Sequence, residues 1–265
     1  MYLVNSVKLN RKKSYTIEIK TDNTQDSFDI SEDIMVEFRL VKGKALSKQE
    51  YKKFVEANNK DIIFQKVLYY ALYKMRTVHE IKEYLIKKSI PKSEHKYYID
   101  KLKQARIIDD IKFAELYIRE SFEYKRIGPK KIQFDLEKKG IYDYTYKRFI
   151  EKLKPEDINN NIEYLLKKKL DSIKDKSFNK TIQTLKQFLV RKGYNIVSIN
   201  LAVDRNNVLI TSYINEDKSL LKDYEIASKK YRNKEDKQKK ILTFLMRKGY
   251  HYSKIKAVLG EKLYG

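Results

Sequence analysis

Three glycines close near-identical segments, FDLEKKGI, QFLVRKGY and TFLMRKGY, at Gly140, Gly193 and Gly249, and a fourth copy, EYLIKKSI, carries Ser89 at the same place. The anchors at 89, 140, 193 and 249 are separated by 51, 53 and 56 residues, the self-similarity of a chain built from one repeated supersecondary unit. Such units cannot each bury a full hydrophobic face and have to stack on their neighbours. This repeat constrains the fold more than any other feature of the sequence.

Helix geometry gives the repeat a register. Eight and four residues before each anchor stand Ile81 and Leu85, Ile132 and Leu136, Leu185 and Leu189, Ile241 and Leu245, an apolar stripe at the spacing of one helix face. Glycine suits the left-handed position just past a helix end, so each stripe predicts a helix ending at its anchor. Apolar or aromatic residues follow at once (Ile90, Ile141, Tyr194, Tyr250). Ten past the anchor come Ile99, Ile150, Val203 and Leu259, which predicts a second short helix. Segments such as FAELYIRESFEY and NNIEYLLKKKLDSI supply a third.

The expected architecture is mainly α: an elongated array of tandem three-helix repeats over residues 60–105, 106–154, 155–205 and 206–265. Start signals agree, with a capping box at Thr77 and Glu80, Gly128-Pro129 opening a helix, and Pro155-Glu156-Asp157 placing acid at a helix start. Only 7 Gly and 3 Pro in 265 residues leave few places where helices must break. Residues 1–59 read differently. VNSVKL and SYTIEIK alternate at period two around a basic turn, NRKK, predicting a small β-hairpin. A short strand near SFDI, a helix from Ser31 through SEDIMVEFRLVKGK, and a helix capped by Ser47 with Glu50 follow.

Charge narrows the function classes. Lys and Arg number 59 against 36 Asp and Glu, a formal charge of +23, while 42% hydrophobic residues suffice for a sizeable core. The absence of Cys removes disulfides and thiolate metal sites, and His79, His95 and His251 are scattered, so neither cofactor nor metal is expected. No apolar run approaches the roughly 20 residues of a membrane helix. The opening MYLVNSVKLNRKK has no signal-peptide core, so a soluble, cytoplasmic, monomeric protein without membrane contact is expected.

Two basic residues precede every anchor: Lys87-Lys88, Lys138-Lys139, Arg191-Lys192 and Arg247-Lys248. Cations in the last turn of a helix gain about 0.3 to 1 kcal/mol each from the terminal carbonyls, which is one explanation. The other is a track along stacked repeats for a polyanion or an acidic groove, helped by Arg126, Lys130 and Lys131. Further basic clusters lie at Lys167 to Lys169, Lys229-Lys230 and Lys237 to Lys240. Among 22 Tyr, residues 69, 70, 73, 97, 98, 117 and 124 could stack on bases of a single strand, although packing explains most of them better.

Catalytic signatures are missing: there is no GxxxxGK[ST], GxSxG, HExxH or Gly-rich dinucleotide turn. Asp109-Asp110 reads as a helix start rather than a metal pair, and Glu18 with Lys20 only faintly suggests a nuclease strand. No catalytic residue is expected.

The run IIDDIKFAELYIRESFEYKRIGPKKIQFDLEKKGI, preceded by ALYKMRTVHEIKEYLIKKSI, resembles the RecX family, bacterial regulators of the RecA recombinase. The resemblance rests on Arg76-Thr77 with Glu80, Asp109-Asp110 then Phe113-Ala114, Gly128-Pro129-Lys130 and Lys139-Gly140-Ile141. It extends over nearly the whole chain in the longer, Gram-positive form of the family. Departures are small: Ser89 replaces the usual Gly, and Ile81 stands where Leu is common. The resemblance implies a non-enzymatic negative modulator that binds along the RecA filament on single-stranded DNA, with weaker affinity for double-stranded DNA. It would inhibit filament growth, ATPase and recombination. A general DNA-binding protein acting without RecA is the alternative.

Overall fold

A computed structural model describes residues 1–10, 14–21 and 24–264 of the chain, with side chains to residue 260. The chain divides into two compact units, Met1–Asp110 and Ile111–Gly265.

In the first unit, β1 (Tyr2–Leu9), β2 (Tyr15–Lys20), β3 (Gln25–Ile30) and β4 (Ala45–Leu46) form an antiparallel sheet in the order β3-β2-β1-β4. The period-two pattern sends Val4, Ile17 and Ile19 into the core. In the expected basic turn, Asn10 N–H donates to the Ser14 carbonyl, and residues 11–13 lie outside the described residues. The helix expected from Ser31 through residue 44 is far shorter. α1 (Glu32–Glu37) stops where Arg39 turns left-handed at φ 49° and Leu40 N–H reaches back to the Met35 carbonyl, so that Leu40 buries completely. The freed segment runs alongside β1, with Gly43 N–H on the Val4 carbonyl and Val4 N–H on the Lys44 carbonyl, and leads into β4, which the sequence pattern did not announce.

α2 (Lys48–Tyr73) starts with the expected Ser47–Glu50 capping box and runs unbroken for 26 residues. Its first half packs Phe54 against the sheet. Its second half packs Phe64, Val67 and Ala71 against α3 (Val78–Lys87) and α4 (Lys92–Gln104). The boundary expected at 59/60 therefore falls inside one helix that serves two cores.

The second unit holds α5, whose helix spans Asp110–Arg119, a π-helical turn (Glu120–Tyr124), α6 (Pro129–Glu137) and α7 (Asp143–Ile150) around one core. α8 (Pro155–Leu170), α9 (Phe178–Arg191), α10 (Ile196–Arg205) and α11 (Asn207–Ser212) enclose a second. α12 (Glu216–Lys230), α13 (Lys237–Arg247) and α14 (Tyr252–Tyr264) enclose a third. Ile210 and Ile214 pack on the second of these cores, so its module runs past residue 205. Among the described residues no helix is long and apolar enough to cross a membrane.

All four anchors are left-handed, at φ 57° for Ser89, 73° for Gly140, 92° for Gly193 and 93° for Gly249. Each closes the same pair of hydrogen bonds. The anchor N–H donates to the carbonyl three residues back, and the next N–H donates to the buried Leu carbonyl, as in Ile90 to Leu85 and Tyr194 to Leu189. The stripe Leu and the residue after the anchor are the hydrophobic partners that this helix ending brings together. The repeated sequence pattern is that ending, written four times.

A side chain in the left-handed region costs about 1 to 2 kcal/mol. Ser89→Gly should therefore stabilise the chain by about 1 kcal/mol, and Gly193→Ala should lose at least about 2 kcal/mol, because its Cβ would also collide with Lys131. Urea denaturation of both variants checks the two signs.

Candidate polyanion-binding surface

In the second unit, each later turn seats on the middle helix of the module before it. Gly128 N–H donates to the Lys192 carbonyl at 2.7 Å and Lys130 N–H to the Gly193 carbonyl at 3.1 Å, so the third anchor turn caps the start of α6. The fourth does the same to α9: Ser177 Oγ donates to the Lys248 carbonyl at 2.7 Å and Asn179 Nδ2 to the Gly249 carbonyl at 3.0 Å. One turn thus sits at the N-terminal end of a middle helix while that helix's own turn ends it. Successive cationic turns are spaced by one middle helix, about 14 Å along α6 and about 21 Å along α9 at 1.5 Å per residue.

Within each basic pair the two residues differ. Lys87, Lys138, Arg191 and Arg247, the first members, are all exposed; of the second members Lys88 and Lys248 are exposed too, and Lys139 and Lys192 are half-buried. The second members lean back over their own module: Lys88 over Tyr84, Lys139 over Phe113, Lys192 over Phe188 and Lys248 over Phe244, at 5.7, 5.5, 6.0 and 5.3 Å from the ring centres. Lys248 goes further, pairing its ammonium at 2.9 Å with Asp223, which also accepts from Tyr250 Oη at 3.0 Å. Burial and Asp223 together raise the Tyr250 hydroxyl well above its ordinary value.

The other expected cations divide likewise. Arg126 lies with its guanidinium 3.9 Å above the Tyr164 ring, left-handed at φ 49°, and its carbonyl accepts from Tyr194 Oη at 2.9 Å. Lys131 pairs with Asp135 at 3.4 Å, whereas the Lys130 side chain is exposed. Of the eleven expected binding residues, Lys87, Lys130, Arg191 and Arg247 present exposed side chains with no aromatic or carboxylate contact among the described residues, and the exposed Lys138 rests 4.4 Å from Phe134.

The tyrosines split as well. Tyr98 is fully buried, Tyr70 stacks on Tyr84 at 4.1 Å, and Tyr117 donates to Asp135, while Tyr69, Tyr73 and Tyr124 are largely exposed. The three histidines stay apart: His79 faces Glu83, His95 meets the Ile90 carbonyl and His251 meets Asn179. Among the described residues no three His, Asp or Glu side chains converge as a metal set. Glu18 pairs with Lys8 at 3.6 Å, and the Ser6 hydroxyl, followed by that lysine, holds its carboxyl below the usual range.

Asp110 has a structural task that the sequence did not reveal. Its Oδ1 accepts from Val78 N–H at 2.9 Å, capping the middle helix of the first module from 32 residues away. Glu216 does the same for Phe178 N–H at 2.9 Å in the third module. The second module has Pro129 at that position, which has no N–H to satisfy. That contrast between Pro129 and its counterparts Val78 and Phe178 is the signal in the sequence from which these caps could have been inferred.

The fold and surface are those of a modular helical protein with recurrent cationic turns. Over 96% of its length the chain is 31% identical to the regulatory protein RecX of Streptococcus agalactiae serotype III, 97% of which is matched. It is 27% identical to the regulatory protein RecX of Oceanobacillus iheyensis over 95% of this chain and 94% of that one. A crystal structure of a regulatory protein RecX shares the fold, with a TM-score of 0.63 at 23% identity over 77% of this chain and 100% of that chain. No family model matches. The chain belongs to the RecX family of regulatory proteins.

Burial raises the Asp110 carboxyl above its ordinary value, against the lowering pull of the Val78 N–H. The fold therefore disfavours its charged form, and that cost is relieved as pH falls through the raised folded value. Asp110→Asn keeps the acceptor without the charge and should hold or raise stability at neutral pH. Asp110→Ala strands the Val78 N–H and should lose about 1 to 2 kcal/mol in urea denaturation.

Proposed function

We propose that the protein is a negative modulator of the RecA recombinase, lying along the RecA filament on single-stranded DNA and inhibiting its growth, ATPase and recombination. The observation that carries this reading is the recurrence of one exposed cation at the same position before every left-handed turn, Lys87, Lys138, Arg191 and Arg247. A partner with regularly spaced negative charge is the natural complement of such a series. Membership of a family of regulatory proteins supports a target that is itself a protein assembly, and the resemblance in sequence identifies that assembly as RecA.

In this reading the first member of each pair, with Lys130, faces the filament, and the second member holds the module together. Binding would restrain the filament by occupancy, with no bond made or broken by this chain.

RecA ATPase on single-stranded DNA should fall as the protein is added. Lys138→Glu with Arg191→Glu should weaken that inhibition by about tenfold or more at moderate salt, with an unchanged melting temperature. The pair Lys192→Gln and Lys248→Gln should instead lower the melting temperature. Unchanged inhibition by the first variant would remove these residues from the interface. Equal retention of the protein on bare DNA and on the filament would favour a DNA-binding protein acting without RecA.

A further inference from the structure

We propose that the groove between α3 and α4 in the first unit is a docking site for an acidic protein segment carrying an aliphatic side chain. This deepens the reading above, since it concerns a protein contact of the same regulator, but it stands on a different set of residues and its test does not need RecA.

The groove encloses about 460 Å³. Its α3 wall is one face of the helix, where Lys82 and Ile86 follow Val78 at intervals of four residues, a run about 12 Å long. Lys92, Lys96 and Lys103 line the α4 wall, and Ile99 forms a buried floor. Lys96 is paired with Asp100 at 2.6 Å. Lys82, Lys92 and Lys103 are exposed and make no close ion pair among the described residues, although Lys103 stands within electrostatic reach of Asp110. Ile86 is 55% exposed at the groove, a large aliphatic side chain held beside unpaired cations.

The repeat provides an internal comparison. The positions of Lys82, Ile86 and Lys92 hold Gln133, Glu137 and Asp143 in the second copy, Lys186, Val190 and Ile196 in the third, and Leu242, Met246 and Tyr252 in the fourth. All four copies build the same helix ending and the same buried stripe. The first-copy combination of cations around an isoleucine is therefore not a requirement of the module, and it is confined to one groove.

The chemistry of the lining selects the occupant. Lysines of this kind attract carboxylates or phosphates alike, but Ile86, Val78 and Ile99 offer aliphatic contact, and the one ring in the lining, His95, is buried and bonded to the Ile90 carbonyl. A nucleic-acid strand would meet the charges yet find no surface for base stacking. An acidic peptide satisfies both halves: carboxylates reach the lysines while a Leu or Ile side chain covers Ile86 and Ile99. A 12 Å run accommodates about four residues of extended chain.

The test uses the full chain and a fluorescein-labelled peptide of about twelve residues repeating Glu-Glu-Leu, read by anisotropy at physiological salt. Saturable binding is expected, weakened about tenfold by Lys82→Glu with Lys103→Glu and by Ile86→Asp, and unchanged by Lys138→Glu with Arg191→Glu. A peptide with Ser in place of Leu should also bind more weakly, and an oligothymidylate of equal charge should not compete. All substituted side chains are exposed, and circular dichroism melting confirms that each variant is folded. Absence of binding, equal affinity for the Ser peptide or for Ile86→Asp, or effective competition by the oligonucleotide would overturn the proposal. RecA ATPase separates the two readings. Peptide binding with no effect of the native chain on RecA rejects the RecA reading alone, and RecA inhibition without peptide binding rejects the groove alone.

Discussion

The second unit depends on one contact, a left-handed helix ending seated on the first turn of another helix. Both partners carry unsatisfied backbone groups there, carbonyls on one side and N–H groups on the other. Setting Lys192 and Gly193 carbonyls on Gly128 and Lys130 N–H groups satisfies both at once and aligns two helix dipoles head to tail. The approach is close enough that a Cβ on Gly128 would collide with the Gly193 backbone. Two glycines, 65 positions apart in sequence, are therefore needed at the same place for different reasons. Gly193 permits the left-handed turn, and Gly128, extended at ψ 156°, permits the approach. At the next junction Ser177 and Asn179 side chains replace backbone N–H donors, which leaves Ser177 Oγ at 2.7 Å from where a Cβ on Gly249 would sit.

Once this contact is fixed, the split within each basic pair follows. At the third and fourth turns the second cation's carbonyl is engaged by the docked helix, and its side chain folds back over an aromatic ring of its own module. The first cation, one residue earlier, is exposed in every copy. Helix-end electrostatics and an external partner are then not competing explanations of the same eight residues. Lys88, Lys139, Lys192 and Lys248 contact rings of their own module, and Lys87, Lys138, Arg191 and Arg247 are the ones proposed to meet the partner.

Much of the fold was legible because its determinants are local. The Leu four residues before each anchor, the left-handed residue and the apolar residue after it belong to one helix ending, and Ser47 with Glu50 or Thr77 with Glu80 lie within one turn. What was not legible depends on residues far apart. The stop of α1 at Glu37 is decided by burial of Leu40 in a core completed by β1, β2 and α2. The Asp110 and Glu216 caps act across 32 and 38 residues. The recruitment of Ile210 and Ile214 to the third module's core extends that module beyond the next repeat's expected start. The candidate surface was legible in position, since every basic pair is where the repeat puts it, but not in division, because which member leans on an aromatic ring depends on tertiary packing.

A chain of charge +23 uses many of its acids inside its modules. Many of its carboxylates are engaged in structural tasks: Glu50 and Glu80 in capping boxes, Asp110 and Glu216 on helix N-termini of other segments, Asp26, Glu94, Glu137 and Asp223 on tyrosine hydroxyls. These carboxylates are held in place by the fold, and Asp223 also pairs with Lys248. Self-repulsion among the excess cations opposes the folded state, and a polyanionic partner would relieve it. In the proposed function the repeated turn sets where along the second unit such a partner would be met.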